Sequence, residues 1–179
     1  MTEKNIKNPT FIHLDVNSEY SIGKSVVRID ELLDECINEG IPAVGIADHG
    51  NLFSAYKIYK RAIKKGIKPI IGVTLSVQSE TSKSDYKLIL LCKDKLGYEN
   101  LSHLITRSYV EGYHLGEAKI KMKWINNKNA EGLVAISAYH EGIIQSLMLS
   151  NKESEVEKQI NFLKNNFGEN FFIGVTKIN

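Results

Sequence analysis

Asp48-His49, followed by Gly50-Asn51, is the pair of side chains in this sequence with the clearest chemical potential. A carboxylate next to an imidazole offers oxygen and nitrogen donors to a divalent cation. Its position adds to the interest. Pro42 opens an apolar, β-leaning run that ends at Ala47, and βα proteins build their sites just past the carboxyl ends of such strands. A structural role competes with the chemical one. Asp48 can satisfy the start of the helix expected near Leu52, with His49 only filling the turn. His13, His103, His114 and His140 show no paired metal spacing and read as packing or surface residues.

The elements that must position this turn follow from hydrophobic periodicity. Phe11 to Val16 alternates apolar and polar residues after Asn8-Pro9, as a half-buried first strand does. Ile29, Leu32, Leu33, Cys36 and Ile37 fall at helical spacing, with Asp30 and Glu31 in the first turn and Gly40 past the last. Phe53, Tyr56, Tyr59, Ala62 and Ile63 form a second apolar stripe, closed by Gly66 before a strand from Pro69 to Val77. This βαβ rhythm favours parallel pairing. Gln78 to Asp85 is a polar loop, Tyr86 to Cys92 a buried strand, and Leu101 to Tyr109 another amphipathic helix. Gly112 to Lys123 shows no clear period and reads as a long loop. Gly132 to Ser137 is a strand, Gly142 to Leu149 and Glu153 to Phe167 are helices, and Asn170 to Thr176 is a last strand. About six strands with helices between most of them make an α/β protein.

The composition bounds the function. At 179 residues, 42% hydrophobic and 25% charged, the chain reads as one domain over 1–179, with no linker to divide it. A net charge of +2 demands neither a nucleic acid nor an anionic membrane. Cys36 and Cys92 form no CxxC motif or disulfide framework, and no run is apolar enough for a signal peptide or membrane span, so a cytoplasmic location is expected. The basic run Lys57, Lys60, Arg61, Lys64, Lys65 and Lys68 alternates with apolar positions, which favours a solvated helix face over a phosphate-binding one. Trp124 reads as a buried aromatic rather than an interface anchor.

Three stretches, FIHLDVNSEYS at Phe11 to Ser21, ADHGNLFSAYKIYKRA at Ala47 to Ala62 and GIKPIIG at Gly66 to Gly72, resemble the amino-terminal PHP (polymerase and histidinol phosphatase) domain of bacterial DNA polymerase III alpha subunits. KLILLCKDKLGYENL, EGLVAIS and NNFGENFFIGV follow in the family's order, so the resemblance spans nearly the whole chain. It implies a distorted parallel β/α barrel of TIM-like type, incomplete here because family members continue past Asn179 into a further strand and the polymerase domains.

Members of the superfamily with phosphoesterase activity hold two or three metal ions, and this sequence departs from their ligand pattern. Asp15 and Asn17 stand where His-x-His is expected, Lys24 where an acidic residue is, Thr74 where a glutamate is, Lys87 where a histidine is, and Tyr139 where a cysteine is. Asp48 and His49 alone match outright. An ammonium near a divalent cation is repulsive, and Lys24 or Lys87 is placed to pair instead with Asp15 or Asp48. The expectation is therefore no bound metal, no cofactor and no catalytic residue, with Asp48 and His49 as vestigial candidates and Asp15 and Asn17 as weaker ones. The alternative is a reduced site holding one zinc, manganese or magnesium ion on those four residues.

The function implied is that of a scaffold within a replicative DNA polymerase, a DNA-directed nucleotidyltransferase whose own catalytic aspartates belong to a later palm domain. Other polymerase subunits, including the proofreading exonuclease, are the implied partners. DNA would be met through the full-length polymerase, and no membrane partner is implied. Two other readings stand beside it: a metal-dependent phosphoesterase or pyrophosphatase, and a DNA-binding module using the Lys57 to Lys68 face.

Overall fold

The computed structural model describes residues 11–78 and 85–175. Contacts divide the chain into two compact units, Met1–Gly72 and Val73–Asn179. Among the described residues no helix is long and apolar enough to cross a membrane.

In the first unit, helix α1 (Ile29–Asn38) precedes strand β1 (Ala43–His49), and helix α2 (Ala55–Lys64) follows it. Ile29, Leu33 and Cys36 of α1, Val44 and Ile46 of β1, Ile58 and Ala62 of α2, and Ile67 form one buried core. The helix stops behave as the sequence indicates: Gly40 and Gly66 both have positive φ. The expected first strand is reduced to one parallel bridge, Val16 with Ile46. Its segment still runs beside β1, since Val16 N–H donates to Gly45 O at 3.1 Å and Gly45 N–H to His13 O at 2.7 Å. Gly45 makes that approach feasible. A Cβ there would lie 2.6 Å from Leu14 O. Asn8-Pro9, the expected lead-in to this strand, lies outside the described residues.

The stripe assigned to α2 needs correction. Its buried residues are Ala55, Ile58 and Ala62, whereas Phe53, Tyr56, Tyr59 and Ile63 are between 56% and 74% exposed. Small side chains let the helix lie close to the core, and the bulky residues are carried round to its flank.

Strand β2 (Lys68–Gln78) leads into the second unit, which continues with β3 (Tyr86–Cys92) and α3 (Lys95–Val110). Most of the polar loop expected after Gln78 lies outside the described residues. Asp94 starts α3 by accepting the Gly97 N–H at 2.9 Å. The stretch expected to be a long loop is instead a hairpin of β4 (Tyr113–His114) and β5 (Glu117–Lys121), turning through Leu115 and Gly116, both at positive φ. After Trp124, which is buried, come α4 (Asn127–Ala130), β6 (Leu133–Ser137), α5 (Ile143–Leu149), α6 (Glu153–Phe167) and β7 (Phe171–Ile173). This last strand ends at Ile173, short of the expected run from Asn170 to Thr176, with Gly174 and Val175 outside it and Thr176 outside the described residues.

The protein is α/β, with a mixed sheet. Strand order is β4-β5-β2-β3-β6-β7, with β1 paired to β2 off that path. Pairings β2–β5 and β6–β7 are parallel, while β3–β6 and the β4–β5 hairpin are antiparallel. No pairing among the described residues joins β4 to β7.

Candidate functional site

Asp48 lies near the end of β1 and is fully buried. Its carboxylate is surrounded by serines. Ser18 N–H donates to Oδ1 at 2.7 Å, and the Ser18 hydroxyl reaches Oδ1 and Oδ2 at 2.9 and 2.8 Å. Ser21 Oγ–H donates to Oδ1 at 2.7 Å, and Ser54 Oγ–H to Oδ2 at 2.5 Å. An ionised carboxylate offers about four lone-pair directions, and four donors meet it here. Ser18, Ser21 and Ser54 are themselves buried, so water does not compete. The carboxylate thus joins the loop after Val16, the end of β1 and the start of α2.

The local turn is completed by backbone. His49 N–H donates to Ser21 Oγ at 3.1 Å, and Asn51 Nδ2 donates to Tyr20 O at 3.2 Å and to His49 O at 2.9 Å. Asn51 Oδ1 accepts the Phe53 N–H at 3.0 Å, so Asn51, and not Asp48, takes an orphan amide before α2. Asn17 Oδ1 stands 3.2 Å from Ser21 Oγ, and Asn17 O accepts from the Ser25 hydroxyl at 2.6 Å. Asn17, Asp48 and His49 therefore meet through one serine. Asp15 is partly buried on the same segment.

Lys24 takes a different partner from either expected carboxylate. Its Nζ approaches the His49 ring nitrogens at 3.3 and 3.5 Å. A cation at that distance opposes a second one at the imidazole.

Within the second unit, Lys87 at the start of β3 also departs from the expected pairing. Its Nζ donates to Ser76 Oγ of β2 at 2.6 Å and to Glu117 Oε1 of β5 at 3.0 Å. Ser76 Oγ–H in turn donates to Glu117, and Lys119 pairs with Asp85 while lying 3.8 Å from Glu117. Burial alone would raise the Glu117 carboxyl, but the Ser76 hydroxyl, the Lys87 ammonium and Lys119 overcome it and lower the pKa to about 2. The hydrogen bond to Asp85 raises Lys119 above the ordinary lysine value. Thr74 is buried on β2, two residues before Ser76 and on the same face.

Asp48 has no lone pair to give while its four donors stand, His49 faces an ammonium, and Lys87 is itself the cation held by Glu117. Among the described residues no three His, Cys, Asp or Glu side chains gather as a metal centre requires. The serines around Asp48 and the Glu117 acceptor were not singled out by the sequence. Ser18, Ser21 and Ser54 look like ordinary turn residues, and Glu117 falls in the stretch read as loop. His13, His103, His114 and His140 are all exposed. Cys36 is buried, and burial pushes the Cys92 thiol up to about 12.

Comparison with known proteins gives a consistent result. The family model described as PHP domain matches residues 13–177. DNA polymerase III subunit alpha of Borreliella burgdorferi is 37% identical over 172 residues, which is 91% of this chain and 15% of that protein. The same subunit of Pseudomonas aeruginosa is 35% identical over 169 residues, 94% of this chain and 14% of that protein. The chain thus spans about one seventh of the length of these relatives. A solved amidohydrolase from Chromobacterium violaceum superimposes on 54% of this chain and 32% of its own, with a TM-score of 0.41 and 15% identity, too slight a likeness to argue from.

Proposed function

This chain belongs to the PHP domain family, and on that premise we propose that it is the non-catalytic PHP module of a bacterial DNA polymerase III alpha subunit. The 179 residues act as one module of a much longer DNA-directed DNA polymerase, working in the cytoplasm. Its task is to organise the polymerase core and to dock other replication subunits, the proofreading exonuclease among them.

One observation carries the non-catalytic reading: the Asp48 carboxylate, which with His49 matches the family motif, has all four lone-pair directions occupied by Ser18, Ser21 and Ser54. A metal ion would have to break a buried network, at a cost of about 1–3 kcal/mol for each donor left unpaired. The ammonium groups of Lys24 and Lys87 act in the same direction. Metal-assisted phosphoester hydrolysis needs cations that polarise the phosphoryl group and acidify water, and these positions supply fixed lysines in their place.

The test is metal content and hydrolysis measured together. The chain is purified without chelator, re-equilibrated with zinc, manganese and magnesium, and compared by elemental analysis with His49→Ala. Equal, substoichiometric metal in both proteins and no hydrolysis of p-nitrophenyl phosphate are expected. One ion per chain, lost in His49→Ala and accompanied by hydrolysis, would replace this reading with that of a reduced metallophosphoesterase.

A further inference from the structure

The outer flank of α2 carries exposed aromatic and aliphatic side chains that the described core does not use. Tyr56 is 74% exposed, Tyr59 57% and Ile63 56%, with Phe53 just before the helix at 70%. At 100° per residue, Tyr56, Tyr59 and Ile63 fall within one narrow arc beside the buried arc of Ala55, Ile58 and Ala62. The opposite flank is already taken, because Arg61 and Lys65 pair with Asp30 and Asp34 of α1. One side of α2 therefore has its neighbouring helix, while the other presents aromatic and aliphatic side chains to solvent.

We propose that the Tyr56–Tyr59–Ile63 flank of α2 is a docking surface for an acidic, amphipathic helix of a protein partner. The apolar residues recur at helical spacing over roughly two turns, the pattern that receives a second helix by ridge-into-groove packing. Tyrosine and phenylalanine suit such a role, being large, rigid and able to keep one polar end wet. Charge decides which helix. Lys60 and Lys64 border the stripe on its solvent side, and among the described residues neither forms an ion pair, whereas Lys57, Arg61 and Lys65 do. Lys60 Nζ lies 5.8 Å above the Tyr56 ring, so the positive charge is part of the surface and not remote from it. Acidic residues along one edge of the incoming helix would meet these two cations.

The same charges argue against two other occupants. Antiparallel packing of α2 against a second copy would bring Lys60 and Lys64 against their own equivalents. A nucleic-acid strand would meet Lys60 and Lys64 but also the carboxylates of Glu19, Asp30 and Asp34, which pair with Lys57, Arg61 and Lys65. The proposal rests on the scaffold reading only in treating the domain as a docking module, and it is independent of whether the Asp48 turn holds a metal.

The experiment uses the whole 179-residue chain with three fluorescent probes: a designed helical peptide with an Ile/Leu stripe edged by Glu, the same peptide edged by Lys, and a dT20 strand. Fluorescence anisotropy should show at least tenfold tighter binding of the Glu-edged peptide. That preference should vanish in a Lys60→Glu, Lys64→Glu variant, and the binding itself in Tyr56→Ser, Ile63→Ser. All four side chains are exposed or lie at the solvent edge, so unchanged circular-dichroism melts are expected to confirm that the variants fold. Equal binding of the two peptides, preferential binding of dT20 with a steep salt dependence, or self-association lost in Tyr56→Ser, Ile63→Ser would each overturn the proposal. None of these readouts changes with metal, which keeps its failure separate from that of the non-catalytic reading of the Asp48 turn.

Discussion

Asparagine at position 48 would place an amide NH2 among groups that already donate, the Ser18 N–H and the hydroxyls of Ser18, Ser21 and Ser54. Hydroxyls can rotate to accept, but the Ser18 N–H cannot, and burial denies all of them water. Asp48→Asn is therefore expected to lower stability by about 2–4 kcal/mol, read as an earlier urea midpoint at unchanged slope. Lys24→Ala removes an exposed contact with His49 and should stay within about 0.5 kcal/mol of the parent. An Asp48→Asn midpoint no lower than that of Lys24→Ala would show that the network carries no net stability. The sequence made Asp48 and His49 legible as a pair, because they end an apolar strand. It could not show the serines, since Ser18 and Ser54 lie 30 and 6 residues from Asp48 and only the folded loops bring them together. Lysine at positions 24 and 87 could be read as hostile to a metal, but not that its actual partners are His49 and Glu117.

Elements were legible where periodicity and stop signals agreed. Helix α6 and strand β3 have the limits their apolar patterns indicate, and α1 ends before a glycine at positive φ. Two elements escaped for different physical reasons. The β4–β5 hairpin turns through Leu115-Gly116, which lacks the Asn-Gly or Asp-Gly signature of a tight hairpin, and β4 is only two residues long. The α2 stripe escaped because periodicity finds an apolar face without saying which part of it reaches the core; there the smaller Ala55 and Ala62 go inward. The segment beside β1 depends on backbone proximity more than on pattern. Gly45→Ala would set a methyl 2.6 Å from Leu14 O, forcing the two chains apart. A cost of about 1–3 kcal/mol is expected, as for other overpacked sites. Amide exchange should locate it, with faster exchange at Val16 and Ala47, whose N–H groups bond across this junction, while Leu90 in β3 keeps its protection. Unchanged exchange at Val16 would mean the segment does not need the glycine.

At the scale of the whole molecule, ion pairs in each unit tie stability to pH at opposite ends of the range. Glu117 has a folded pKa of about 2 against an ordinary 4.5, so its contribution is complete above pH 4.5 and fades as pH falls toward 2. Lys119 is raised above 10.5 by its hydrogen bond to Asp85, and Lys57 likewise by Glu19, so their contributions are complete below pH 10.5 and are lost as pH climbs through the raised values. These groups alone would give a stability plateau from about pH 5 to 10 with shoulders on both sides. The Glu117 side chain is 46% exposed, and solvent screening limits its share to about 0.5–1 kcal/mol. Urea melts of the parent and Glu117→Gln should therefore differ by a constant, small amount at pH 5–8, and the two curves should converge below pH 4 as the carboxyl takes its proton. Lys119→Met should instead keep its deficit at pH 6 and approach the parent only above pH 10.5. A Glu117→Gln deficit that grows on acidification would mean that protonated Glu117 still stabilises the fold, and that the Ser76–Lys87–Glu117 cluster holds β2, β3 and β5 by packing more than by charge.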